Sequence, residues 1–117
     1  MKMLEGLHHH QSVLFSNIGQ LLEKKRFLDV MLTCHNEAIM VHKLVLVAYS
    51  RYFDAVLLGH ADRCPVINID STGIEFETLR AVISFMYKGI IDYVRERDIN
   101  YFFNYFVFHQ ILNTNIF

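Results

Sequence analysis

The sequence predicts a single α+β domain, and three observations predict it. A run of strand-forming residues from Leu28 turns back on itself near Asn36, two short amphipathic helical patterns follow directly, and a longer helical pattern with a start signal lies between Thr72 and Gly89. At 117 residues the chain holds one core and has no room for a second catalytic domain. Hydrophobic residues make up 53% of it, enough to offset the entropy of ordering the chain, so intrinsic disorder is excluded. A domain this small exposes much of its surface, and the surplus of apolar residues predicts a face that another surface covers.

From Val13 to Lys25, the residues Leu14, Phe15, Ile18, Leu21 and Leu22 share one arc of a helix, with Ser16, Asn17, Gln20 and Glu23 outside it. Lys24, Lys25 and Arg26 close that helix, where positive charge suits the carbonyl end of the dipole. Leu28 to Cys34 reads as a strand, His35-Asn36-Glu37 as a turn, and Ala38 to Val41 as the returning strand of a hairpin. His42, Val45, Leu46 and Tyr49 then recur at the spacing of one helical face. Ser50 is placed to cap a second short helix, with Asp54 in its first turn and Tyr52, Phe53, Val56 and Leu57 as its buried stripe. Gly59 offers a stop, and Pro65 leads into a third strand, Val66 to Ile69. Thr72 and Glu75 have the spacing of a capping box, which predicts a helix starting at Thr72. Phe76, Leu79, Ile83, Met86 and Tyr87 mark the face of that helix, and Gly89 its left-handed end. Ile90 to Tyr93 reads as a short strand, and Arg95 to Asp98 as a charged break. From Ile99 to Phe117 the chain has no acidic or basic residue and is crowded with aromatics and asparagine.

Several function classes fall away on composition. A net charge of -1 gives no basic stripe for nucleic acid, so direct nucleic-acid contact is not expected. Cys34 and Cys64 stand far apart without a paired-cysteine motif, which predicts neither a disulfide framework nor a zinc site and suits a reducing intracellular compartment. No secretory signal and no membrane-spanning run is read. His42, Ser50 and Asp54 do not converge as a triad at helical spacing, and capping accounts for Ser50, so no catalytic residue, no enzyme activity and no cofactor are expected. His8, His9 and His10 are read as a loosely packed terminus and not as metal ligands.

The stretch Leu28-Asp29-Val30, followed by Val41-His42-Lys43-Leu44-Val45-Leu46-Val47-Ala48-Tyr49-Ser50-Arg51-Tyr52-Phe53, resembles the BTB/POZ family, whose core reads roughly D-V-x-L and then A-H-K-x-V-L-x-A-x-S-x-Y-F. Cys64-Pro65-Val66-Ile67 and Phe85-Met86-Tyr87-Lys88-Gly89 extend the likeness in the same order. His10-Gln11-Ser12 and Gln20-Leu21-Leu22-Glu23 are similar to the insect tramtrack type, the zinc-finger regulator group of that family. The resemblance covers residues 10–93 as a BTB/POZ-like interaction domain, with 1–9 a divergent N-terminal extension and 94–117 an atypical aromatic-rich tail. Met3 to His9 stand where the tramtrack type has an aromatic and basic strand, so no swapped edge strand is expected. The composition change at the tail raises the expectation of a truncated or alternatively spliced product.

What the resemblance implies is a small mixed sheet of about three strands flanked by helical hairpins. It further implies a protein-protein interaction domain that mediates homo- or hetero-dimerisation of a nuclear transcriptional regulator, with itself, other BTB proteins and a corepressor as partners. On that reading Leu14, Phe15, Ile18 and Leu22 form the dimer interface, and Asp29 with Lys43 forms a charged pocket beside it. Val30, His42, Leu46, Ser50, Phe53, Tyr87 and Gly89 form the family-motif core. The alternative is a cytoplasmic substrate adaptor for a cullin-type ubiquitin ligase. Its scaffold-facing surface would be Tyr52, Phe53, Val56 and Leu58, although Leu58-Gly59-His60-Ala61-Asp62 lacks the glutamate that such adaptors carry.

Overall fold

A computed structural model describes residues 2–60 and 62–89, with side chains from residue 6 onward. The predicted strand at 90–93 and the aromatic tail lie outside the described residues. Helix α1 runs Lys2–Glu23, strands β1 and β2 run Val30–Cys34 and Glu37–Val41, and helices α2 and α3 run Lys43–Tyr49 and Arg51–Leu58. Strand β3 (Val66–Asn68), a 3-10 turn (Asp70–Thr72) and helix α4 (Phe76–Lys88) complete the order.

The sheet is mixed, in the order β2-β1-β3. β1 and β2 pair antiparallel, Val30 opposite Val41 and Cys34 opposite Glu37, while β1 and β3 run parallel with Leu32 opposite Ile67. Alternation decides which face is covered: Val30, Leu32 and Cys34 are buried on one side of β1, and Ile67 and Ile69 follow suit along and just past β3. Leu46 of α2, Phe53 and Leu57 of α3, and Leu79, Val82 and Ile83 of α4 close over that face. Truncating one of the largest fully buried side chains, such as Leu46 to Ala, would cost about 2–5 kcal/mol.

Besides shifts of one or two residues at element ends, three starts differ from the sequence prediction for physical reasons. α1 begins near Lys2 and not Val13, because once a helix is nucleated each further residue costs little, and 2–12 contains no proline and several good helix formers. His8, His9 and His10 are therefore exposed helical residues and not a loose terminus. β1 begins at Val30, two residues later than predicted, because Leu28 and Asp29 form the approach to the hairpin, with the Asp29 N–H donating to the Val41 carbonyl. The capping box does not form. Gly73 adopts a left-handed conformation (φ 80) between Thr72 and Glu75, so Thr72 closes the 3-10 turn with its hydroxyl donating to the Ile69 carbonyl at 2.7 Å, and the helix starts at Phe76. Glu75 becomes the cap residue and makes no side-chain capping bond.

Candidate interaction surface

The surface is organised around a buried polar node. His42 stands at the N-terminus of α2 in an extended conformation, and its backbone N–H donates to the Tyr87 hydroxyl at 2.9 Å. Its Nδ1 lies 2.7 Å from the same hydroxyl and its Nε2 lies 2.8 Å from the Arg26 carbonyl. With Nε2–H donating to the Arg26 carbonyl, the Tyr87 O–H is placed to donate to Nδ1, so each ring nitrogen has a partner. One side chain thus fixes the loop after α1, the start of α2 and the end of α4 relative to one another. Burial pushes the Tyr87 phenol up to about 12, against the opposing pull of the His42 N–H, with the Asp29 charge adding to the rise.

The other family-motif residues are structural too. Val30, Leu46 and Phe53 are wholly buried, and Ser50 is buried with its hydroxyl accepting from the Phe53 N–H at 3.4 Å as predicted for a cap. Gly89 is left-handed (φ 72) and donates to the Phe85 carbonyl at 2.7 Å, which ends α4.

α1 divides along its length. Its C-terminal half packs on α4, with Ile18 and Leu22 against the core and Glu23 reaching Lys88 at 3.4 Å. Residues 6–17 of the same helix are all exposed, including Leu7, Val13, Leu14 and Phe15, the last 61% accessible. The four residues predicted for a dimer interface therefore separate into two that belong partly to the core and two that stand free of it. Beside Phe15 opens an apolar groove of about 650 Å³ between α1, α2 and α4, walled by Ile18, Leu44, Val45, Ala48, Tyr49 and Phe85 among others. Tyr49 meets Phe85 edge-on at 5.7 Å along this wall. Sequence reasoning missed Leu44, which is 75% exposed at the groove. The available signal was Leu44 with Ala48, an apolar pair at i, i+4 on the side of α2 away from the core.

Asp29 and Lys43 come together differently from the predicted charged pair. The Asp29 carboxylate accepts from the Lys43 backbone N–H at 2.7 Å, securing the first turn of α2, while the Lys43 ammonium donates to the Asp62 carbonyl at 3.2 Å. A carboxylate at a helix start satisfies an orphan donor, which explains the spacing without a side-chain ion pair. The proposed scaffold-facing set is broken by Phe53, which is 0% exposed and points into the core because α3 turns its Phe53 and Leu57 face to the sheet. Tyr52 and Val56 are half-buried, Tyr52 packing edge-on against Phe53, and Leu58 is open to solvent. Among the described residues no helix is long and apolar enough to cross a membrane.

A family model described as the BTB/POZ domain matches residues 18–113. Two relatives from Drosophila melanogaster, protein tramtrack (alpha isoform) and protein bric-a-brac 2, are 31% and 33% identical over 90 residues, which is 77% of this chain. The chain spans about a tenth of their length, 11% and 8% respectively. Among solved structures, the BTB domain of zebrafish PATZ1 superposes with a TM-score of 0.67 at 23% identity, covering 90% of this chain and 83% of that one, which supports the fold.

Proposed function

The chain belongs to the BTB/POZ domain family, whose members in tramtrack-like regulators mediate protein-protein interaction, and from that premise we propose that it pairs with a second copy of itself, or with another BTB protein, through the α1 stripe and the groove beside it. The observation that carries this reading is the division of α1: the apolar stripe Leu14, Phe15, Ile18 and Leu22 packs against the core at Ile18 and Leu22, while Leu14 and Phe15 are exposed within the described residues. Covering a side chain such as Phe15 or Leu14 is worth about 1.5–3 kcal/mol, and a helix laid against its symmetry mate covers several at once. The consequence is avidity. Joining two chains raises the effective concentration of whatever each carries, which suits the pairing module of a nuclear transcriptional regulator and requires no chemistry in this domain.

Sedimentation velocity and light scattering on the full chain across a concentration series test the reading. A reversible monomer-dimer equilibrium that Phe15→Asp abolishes supports it. A monomer at every concentration overturns it, and a monomer whose Phe15 is also shielded from covalent surface labelling assigns the covering to the chain's own remaining residues.

A further inference from the structure

The end of the β1-β2 hairpin carries a cluster that pairing does not use. Cys34 closes β1 and points inward, fully buried, with its S–H donating to the Ile74 carbonyl at 3.2 Å. His35 and Asn36 form the turn in left-handed conformations (φ 50 and 66), positions that two-residue hairpin turns usually give to Asn-Gly or Asp-Gly. Histidine stands where glycine or asparagine would be less strained. Asp70 arrives from beyond β3, its Oδ1 accepting from the His35 N–H at 2.8 Å and its Oδ2 from the Asn68 amide at 3.4 Å, so the carboxylate is oriented by two neighbours.

One sulfur, one imidazole nitrogen and one carboxylate oxygen from Cys34, His35 and Asp70 all lie within 4.8 Å of one another. Two ligands of one tetrahedral zinc ion sit roughly 3.3–3.8 Å apart, given zinc-ligand bonds of about 2.0–2.3 Å, so modest rotamer changes in the two exposed residues would close the set. The carboxylates of Asp70, Glu37 and Glu75 all act on the Cys34 sulfur, and that negative field attracts a cation. A mixed sulfur, nitrogen and oxygen donor set suits a borderline-soft divalent ion over calcium or magnesium. The hydrogen bonds that hold Asp70 resemble the outer-shell contacts that orient metal-binding carboxylates.

We propose that Cys34, His35 and Asp70 bind one zinc-class divalent ion that staples the hairpin turn to the segment after β3. On binding, the Cys34 S–H bond breaks, its proton passes to solvent and the thiolate sulfur bonds to the metal in place of the contact to Ile74. The fourth position is filled by water or by an added side chain. Cobalt titration of the full chain tests this, because cobalt bound to a thiolate gives a charge-transfer absorption that histidine and carboxylate sites lack. The expected result is a band saturating at one ion per chain, displaced by zinc, retained in Cys64→Ser and lost in Cys34→Ser. His35→Ala and Asp70→Asn, both at exposed positions, should each weaken binding about tenfold or more. If Cys34→Ser fails to fold by circular dichroism, those two variants decide. Absence of the band, a band that follows Cys64, binding through His8 to His10 without a thiolate signal, or unchanged affinity in both His35→Ala and Asp70→Asn overturns the site.

Discussion

His42 and Tyr87 are 45 positions apart, yet the tyrosine hydroxyl meets two groups of the histidine at once. Replacing Tyr87 with phenylalanine keeps the ring and strands both the His42 N–H and Nδ1 in a buried setting. The expected cost is about 2–3 kcal/mol, read from urea denaturation. The same phenol gives a pH signature. Its folded-state pKa, about 12, lies above the ordinary value near 10, so the neutral form is the one the fold favours. Its contribution is therefore fully present below pH 10 and lost as pH rises through about 12, an alkaline limb that Tyr87→Phe should lack. Lys25 offers an opposite case. The Arg26 N–H bonds the Leu21 carbonyl and the Lys25 N–H bonds that of Leu22, the paired contacts of a Schellman ending, with Lys25 at the left-handed position (φ 55) usually given to glycine. Because the Lys25 side chain is exposed, Lys25→Gly should stabilise the domain by about 1 kcal/mol, a rise of about 4–8 °C in Tm by calorimetry.

At the scale of elements, Ser50 serves two helices. Its N–H donates to the Leu46 carbonyl and ends α2, while its hydroxyl starts α3, so the angle between the two helices depends on one residue. Ser50→Ala should cost about 1 kcal/mol in thermal or urea denaturation, and Ser50→Gly only a few tenths. This cap was legible because a polar residue interrupted two apolar stripes. The start of α4 was not, since the Thr72 and Glu75 spacing is compatible with two backbone paths and only the conformation of Gly73 chooses between them. The N-terminal part of α1 was illegible for another reason: residues 8–12 carry no apolar side chain and 6–12 are exposed, so no periodicity marks them, and their helicity follows from continuation of the packed half. The Cys34, His35 and Asp70 cluster was invisible to spacing rules, because 35 positions separate His35 from Asp70 and only strand pairing unites them.

For the molecule as a whole, family membership was readable from the run between Leu28 and Phe53, where nearly every motif residue is either core or cap. The surface was less readable, because an apolar residue in sequence does not announce whether it faces inward: Phe53 was read both as core and, in the alternative reading, as outer surface, and is fully buried, whereas Leu44 was passed over and stands open. That inversion sharpens the mutational expectation for pairing. Phe15→Ala should weaken the dimer by about 2 kcal/mol, roughly thirtyfold in Kd by analytical ultracentrifugation, with the stability of the monomer little changed because the ring is already 61% exposed. Leu22→Ala, by contrast, should lower monomer stability as well, since Leu22 packs against the core.

The order of the sheet has a kinetic consequence. β1 meets β2 across a two-residue turn, whereas its pairing with β3 waits until the whole α2-α3 hairpin has been made and folded back. During synthesis the strand that ends up in the centre is therefore an open edge until Ile67 and its neighbours emerge. For that interval a strand that carries Val30, Leu32 and Cys34 offers its unpaired backbone groups to any other extended chain, and only closure of the helical pair covers its inner face.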